Sequence, residues 1–86
     1  MHELGVLRQI VKTVDRVIIE KNIARVRHIA LEVGRASGFV PMYLQKLFPI
    51  AADAISALRQ AELHIRTVAG SRLMIREIAY DTAGAK

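Results

Sequence analysis

The spacing of apolar residues switches back and forth between helical and strand periods, and that alternation limits the fold more than any single motif. Leu4, Leu7, Ile10, Val11, Val14, Val17 and Ile18 recur every three or four residues, the stripe of an amphipathic helix. That helix should begin near Glu3, whose carboxylate suits a helix N-terminus, and end near Lys21-Asn22, a cation followed by a residue that tolerates a left-handed stop. From Arg25 to Val33 the period falls to two. Arg27, Ile29, Leu31 and Val33 alternate with Val26, His28, Ala30 and Glu32, which predicts a strand with one strongly apolar face. Gly34 and Ser37-Gly38 punctuate its exit, and Pro41 fits the first position of a second helix. Leu44, Leu47, Phe48, Ala51, Ile55 and Leu58 form that helix's buried stripe. An interior proline costs about 3 kcal/mol, so Pro49 predicts a kink or break, with the pieces on either side sharing one core face.

Alternation returns at Ala61 to Val68, with Leu63, Ile65 and Thr67 opposed to Glu62, His64, Arg66 and Val68. Ala69-Gly70-Ser71 is a short turn signal, and the last strand runs from Arg72 to about Tyr80. Its parity slips between Leu73, Ile75 and Ile78, Tyr80, so a β-bulge near Arg76-Glu77 is needed to put all four on the core face. The expected fold is α+β in the order α-β-α-β-β, two helices packed on one face of a three-stranded sheet, with the last two strands a hairpin. Residues 1–81 are expected to form one domain and 82–86 a disordered tail.

A chain of 86 residues holds a single small core. It contains no cysteine, which excludes disulfides and thiolate metal sites from its stability. Charges at Glu3, Arg8, Lys12, Asp15, Arg16 and Glu20 interrupt the start, so no signal peptide is expected, and no stretch is apolar enough to span a membrane. A cytoplasmic location is the expectation. The formal charge of +5 raises nucleic acid or an acidic protein surface as partners. The basic residues are dispersed, however, and none sits in the basic-aromatic strand pattern of RNA-binding sheets, which argues against nucleic acid. No nucleophile-base pairing, phosphate loop or close carboxylate pair is visible, so an enzyme is not expected.

The chemistry concentrates at the start, Met1-His2-Glu3. With Met1 as first residue, an α-amine, an imidazole and a carboxylate lie along one short backbone, joined by the amides of residues 2 and 3. Such a nitrogen-rich set suits nickel or copper. Met1-His2-Glu3-Leu4, the helix behind it, and the strand ending Leu31-Glu32-Val33-Gly34 resemble the nickel-binding domain of the HypA/HybF hydrogenase nickel-incorporation family. The likeness continues through Ser37-Gly38, Pro41, Leu44 and Phe48, and returns at Ala61-Glu62-Leu63 and from Gly70 to Ile78. The resemblance implies a metallochaperone that delivers Ni²⁺ to the large subunit of nickel-iron hydrogenase, and in some organisms toward urease, working with a nickel-handling GTPase. It implies His2 as the essential ligand, with Met1 and Glu3 completing the site.

Two departures stand out against that family. Its members normally insert a zinc domain with two Cys-x-x-Cys pairs between the last two strands, where this chain has only Ala69-Gly70-Ser71-Arg72. No structural zinc is therefore expected. The family also often carries an acidic residue in the loop before the second helix, where this chain has Val40. A metal-independent interaction or assembly module that kept the fold is accordingly the alternative function. Elsewhere, His28 and His64 share the strand parity facing away from the helices and could form a second, weak metal site. Val26, Ala30, Val68 and Met74 fall on that same face, and an uncovered apolar sheet surface would favour a homodimer.

Overall fold

The computed structural model describes residues 2–84, and for His2 the backbone only. Helix α1 (His2–Lys21) buries Leu7, Ile10, Val11 and Val14, with Glu3 in its first turn and Lys21 in its last. Both charges oppose the helix dipole. Asn22 ends the helix at φ 53°, a left-handed conformation that Asn tolerates. Its side-chain Nδ2 donates to Ala83 O at 3.3 Å, and its own carbonyl accepts from Ala83 N at 2.8 Å. The end of β3 is thereby tied to the α1 exit: of the expected tail, Thr82 closes the strand and Ala83 pairs with Asn22, while Ala85 and Lys86 lie outside the described residues.

Strand β1 (Ile23–Gly34) is central in a sheet of order β2-β1-β3, with β2 at Glu62–Val68 and β3 at Leu73–Thr82. It pairs parallel with β2 and antiparallel with β3. The expected hairpin is therefore not formed: the last two strands flank β1 instead of pairing with each other. Parallel pairing needs a crossover connection, and α2 supplies it between β1 and β2. Strand β3 then takes the remaining edge of β1.

The β1–β3 register shifts three times, leaving Ala24 and Arg27 of β1 and Arg76 of β3 as extra residues. The Arg76 bulge is the one the parity slip in β3 demands, and it lets Leu73, Ile75, Ile78 and Tyr80 all pack on the core. The two bulges in β1 change the reading of that strand. Ile23, Val26 and Ile29 are all buried although they are three residues apart, because each bulge inserts one residue between them. Val26 thus belongs to the core and not to the open face, and Arg27 turns outward despite sharing sequence parity with Ile29.

Helix α2 (Pro41–Ala52) begins on Pro41 and buries Leu44, Phe48 and Ala52. It runs through Pro49 without stopping there; the break comes after Ala52, and a 3-10 turn at Ser56–Leu58 returns Leu58 to the same core. Packing of the apolar face outweighs the one backbone bond that Pro49 removes. Helix α1 packs on β1, β3 and α2, and α2 approaches β2, so both helices cover one face of the sheet. Gln45 of α2 donates its Nε2 to Leu63 O of β2 at 2.6 Å.

The connection from β2 to β3 passes over the end of β1. Gly34 N donates to Arg72 O at 2.7 Å, Arg35 N to Val68 O at 2.8 Å, and Ala36 N to Gly70 O at 2.8 Å. A Cβ on Gly34 would lie 2.3 Å from Gly70 O, so only glycine lets the loop lie this close. Gly70 itself has φ 101°, which L side chains rarely adopt.

Candidate functional site

The first turn of α1 is held against the start of α2 by one carboxylate. Helix α2 has Val40 as its N-cap, which offers no side-chain oxygen. Its next residue, Pro41, has no N–H to satisfy. Glu3, half-buried on the neighbouring helix, supplies what is missing: its Oε2 accepts the Val40 N–H at 2.9 Å. A capping-box glutamate does the same from within its own helix; here the group comes from 37 residues earlier in the chain. Negative charge at that helix start is also favoured by the dipole.

The loop ahead of α2 is built to present that amide. Ser37 N closes a turn on Gly34 O at 3.0 Å, and Ser37 Oγ accepts Phe39 N at 3.2 Å. Gly38 at φ 86° reverses the chain between them. The family-like acidic residue is absent at Val40, yet a carboxylate is still found there, and it is Glu3's own. Met1 and the His2 side chain, the other members of the expected metal set, lie outside the described residues. Among the described residues, no group of three or more His, Cys, Asp or Glu side chains could hold a metal ion. The absence of cysteine likewise leaves no thiolate donor set that a structural zinc could use.

His28 and His64 do meet, on the face away from the helices. Their rings stack with centroids 4.2 Å apart and planes 18° from parallel. Imidazole nitrogens coordinate in the plane of the ring, so two rings stacked face to face do not converge on a single ion. Their nitrogens reach carboxylates instead: His64 Nε2 lies 2.9 Å from Glu62 Oε1, and His28 Nε2 lies 3.7 Å from Glu77 Oε1.

The rest of that face is a cross-strand charge ladder, for whose pairings residue parity alone carries no signal. Glu32 on β1 is bridged by Arg66 of β2 and, at 3.0 Å, by Arg76 of β3. The Arg66 hydrogen bond, reinforced by both guanidinium charges, holds the Glu32 carboxyl below the usual carboxylate range. Asp81 of β3 pairs with Arg27 and, at 3.7 Å, with Arg25. Strand parity placed Glu32 and Arg66 on one face, but only the register shows them as partners. With Val26 in the core and charge pairs across the sheet, the expected apolar ground for sheet-face self-association shrinks to half-buried Ala30 and, near one end, Val68 and Met74.

A family model described as HypA, hydrogenase/urease nickel incorporation metallochaperone, matches residues 1–73 of the chain. The protein belongs to that family, whose role is nickel incorporation in hydrogenase and urease maturation rather than catalysis. No curated protein matches the chain closely enough to refine this assignment. Among the described residues, no helix is long and apolar enough to cross a membrane.

Proposed function

We propose that the chain carries nickel as cargo at the first turn of α1, on the way to a hydrogenase large subunit or a nickel-handling GTPase. The Met1 α-amine, the His2 imidazole and the Glu3 carboxylate are the ligands, with the backbone nitrogens of residues 2 and 3 closing fused chelate rings. The supporting observation is the Glu3–Val40 hydrogen bond at 2.9 Å, which ties the first turn of α1 to the start of α2 in a chain that the nickel-incorporation family model matches from residue 1. A ligand set at an open helix end suits transfer, because a closed four-ligand cage holds its metal too firmly to exchange.

The test is calorimetric titration of NiCl₂ into the untagged protein and into His2→Ala. Saturable binding of one ion per chain by the wild type and its loss in the variant are the expected results. Equal binding by both, or none by either, refutes the reading. Extending the chain upstream of Met1 converts the amine to an amide and should weaken binding in the same way. The alternative, an assembly module that no longer carries nickel, is favoured by the exposed apolar residues of α2. It predicts a complex with a maturation partner that is indifferent to both nickel and His2.

A further inference from the structure

Helix α2 has a second face that its own fold leaves uncovered. Its core residues Leu44, Phe48 and Ala52 point one way, and on the opposite side Met42 is 68%, Tyr43 51% and Ile50 62% exposed. On a 3.6-residue helix these three fall within one arc, with Lys46 between them. Val40, 40% exposed, extends the patch to the N-cap and so to the Glu3 carboxylate that touches it. Four of the six large apolar side chains exposed among the described residues therefore sit on this one surface.

We infer that this face of α2 is the docking surface for the protein that exchanges nickel with the terminus, and that its partner presents an apolar patch flanked by carboxylates. The inference rests on the nickel-carrying reading and adds where the partner sits. Ligand exchange requires the acceptor to come within bonding distance of the ion, and the patch begins at the residue hydrogen-bonded to the proposed ligand Glu3. Tyr is enriched at the centres of protein interfaces, and Met adapts its shape to a partner.

Charge selects the partner. Lys46 is the sole charged residue within α2, and the chain as a whole carries +5, so an acidic rim is favoured opposite it. A second copy of this chain is a poor occupant. A two-fold contact that covers Met42, Tyr43 and Ile50 together is centred near residue 46 and brings two Lys46 ammonium groups face to face in a drying interface.

The experiment measures binding of the purified hydrogenase large-subunit precursor and of the purified nickel GTPase, both from the source organism. The wild type is compared with Met42→Ser/Ile50→Ser and with Lys46→Glu. All three positions are exposed, so the variants should keep the wild-type thermal transition. The expected result is a Kd for at least one partner that rises by about tenfold or more in each variant, with nickel binding by the free variants unchanged. Wild-type affinity in both variants, or no binding of either partner by the wild type, overturns the docking surface. So does a concentration-dependent dimer that the same substitutions dissolve, or adsorption to phosphatidylglycerol vesicles in place of protein binding. Failure of the nickel reading looks different: His2→Ala then binds nickel like the wild type, whatever the patch variants do.

Discussion

Replacing Gly34 by Ala should unfold this domain more readily than its single added methyl suggests. The position is extended and its φ is not in the left-handed region, so conformational strain is not the issue. The issue is space. The added Cβ would lie 2.3 Å from Gly70 O, 2.7 Å from Gly70 C and 2.9 Å from Arg72 N, all backbone atoms with no rotamer to escape into. Relief requires the crossing loop to rise by roughly an ångström, the shortfall from ordinary contact near 3.5 Å. The bonds Gly34 N to Arg72 O and Ala36 N to Gly70 O, at 2.7 and 2.8 Å, would lengthen beyond good geometry.

Overpacking costs about 1–3 kcal/mol, and each weakened bond adds about 0.5–1.5 kcal/mol. A loss of about 2–6 kcal/mol follows from the overpacking and the two weakened bonds, a large share of the total for a domain this small. Urea unfolding followed by circular dichroism measures it as a fall in midpoint at unchanged slope. Gly5→Ala is the matched control, since nothing lies within 4 Å of its added Cβ on the exposed side of α1. There, alanine should stabilise by about 0.5–1 kcal/mol through helix propensity. A Gly34→Ala loss below about 1 kcal/mol would mean that the loop yields cheaply and that the crossing is not a close contact in solution.

The remaining predictions concern charge and packing. In the folded state Glu32 has a lowered pKa, so its ion pairs stabilise the protein above the unfolded carboxylate pKa and are lost as pH falls through the lowered value. Glu32→Gln should therefore be less stable than the wild type at neutral pH, with the gap closing on acidification below about pH 4; a gap that stays constant with pH contradicts the assignment. Glu3→Gln keeps a neutral acceptor for Val40 N–H but removes the charge, so stability should fall by about 0.3–1 kcal/mol, while nickel affinity in the same variant should drop. Leu44→Ala, at a fully buried position in α2, should cost about 2–5 kcal/mol in urea unfolding.

Much of this fold was legible because burial imposes a period. The stripe in α1 and the stop at Asn22 follow from local chemistry, and the Arg76 bulge was visible because Leu73, Ile75 and Ile78, Tyr80 cannot otherwise share a face. The bulges at Ala24 and Arg27 were not visible, since a three-residue spacing of Ile23, Val26 and Ile29 passes equally well as noise in a two-residue alternation. The expected hairpin fails for a different reason. A four-residue connection is short enough for a hairpin, but it also suffices to step across the end of one strand if that strand ends in glycine. Parity put His28 and His64 on one face; their stacking depends on the pairing of His28 with Glu62, which is a tertiary fact. The contact of Glu3 with Val40 has no local signal at all, as the partner is a backbone amide.

Residues 34–40 link the two places where this chain differs from the pattern it resembles. At one end, Gly34, Arg35 and Ala36 are hydrogen-bonded to the loop over β1, the point at which the resemblance puts a zinc domain in other members. At the other end, Val40 is hydrogen-bonded to Glu3 beside the proposed nickel ligands. Between them stand one turn closed by Ser37 and one left-handed glycine, Gly38. A shift of the crossing loop therefore has a short covalent route to the start of α2, and from there to the first turn of α1. An inserted domain could use that route to bias the nickel site. In this sequence the route is anchored at one end by a tight glycine crossing and at the other by the Glu3 carboxylate on Val40 N–H, so a shift of the crossing loop is passed to α1 through backbone hydrogen bonds and that one side chain.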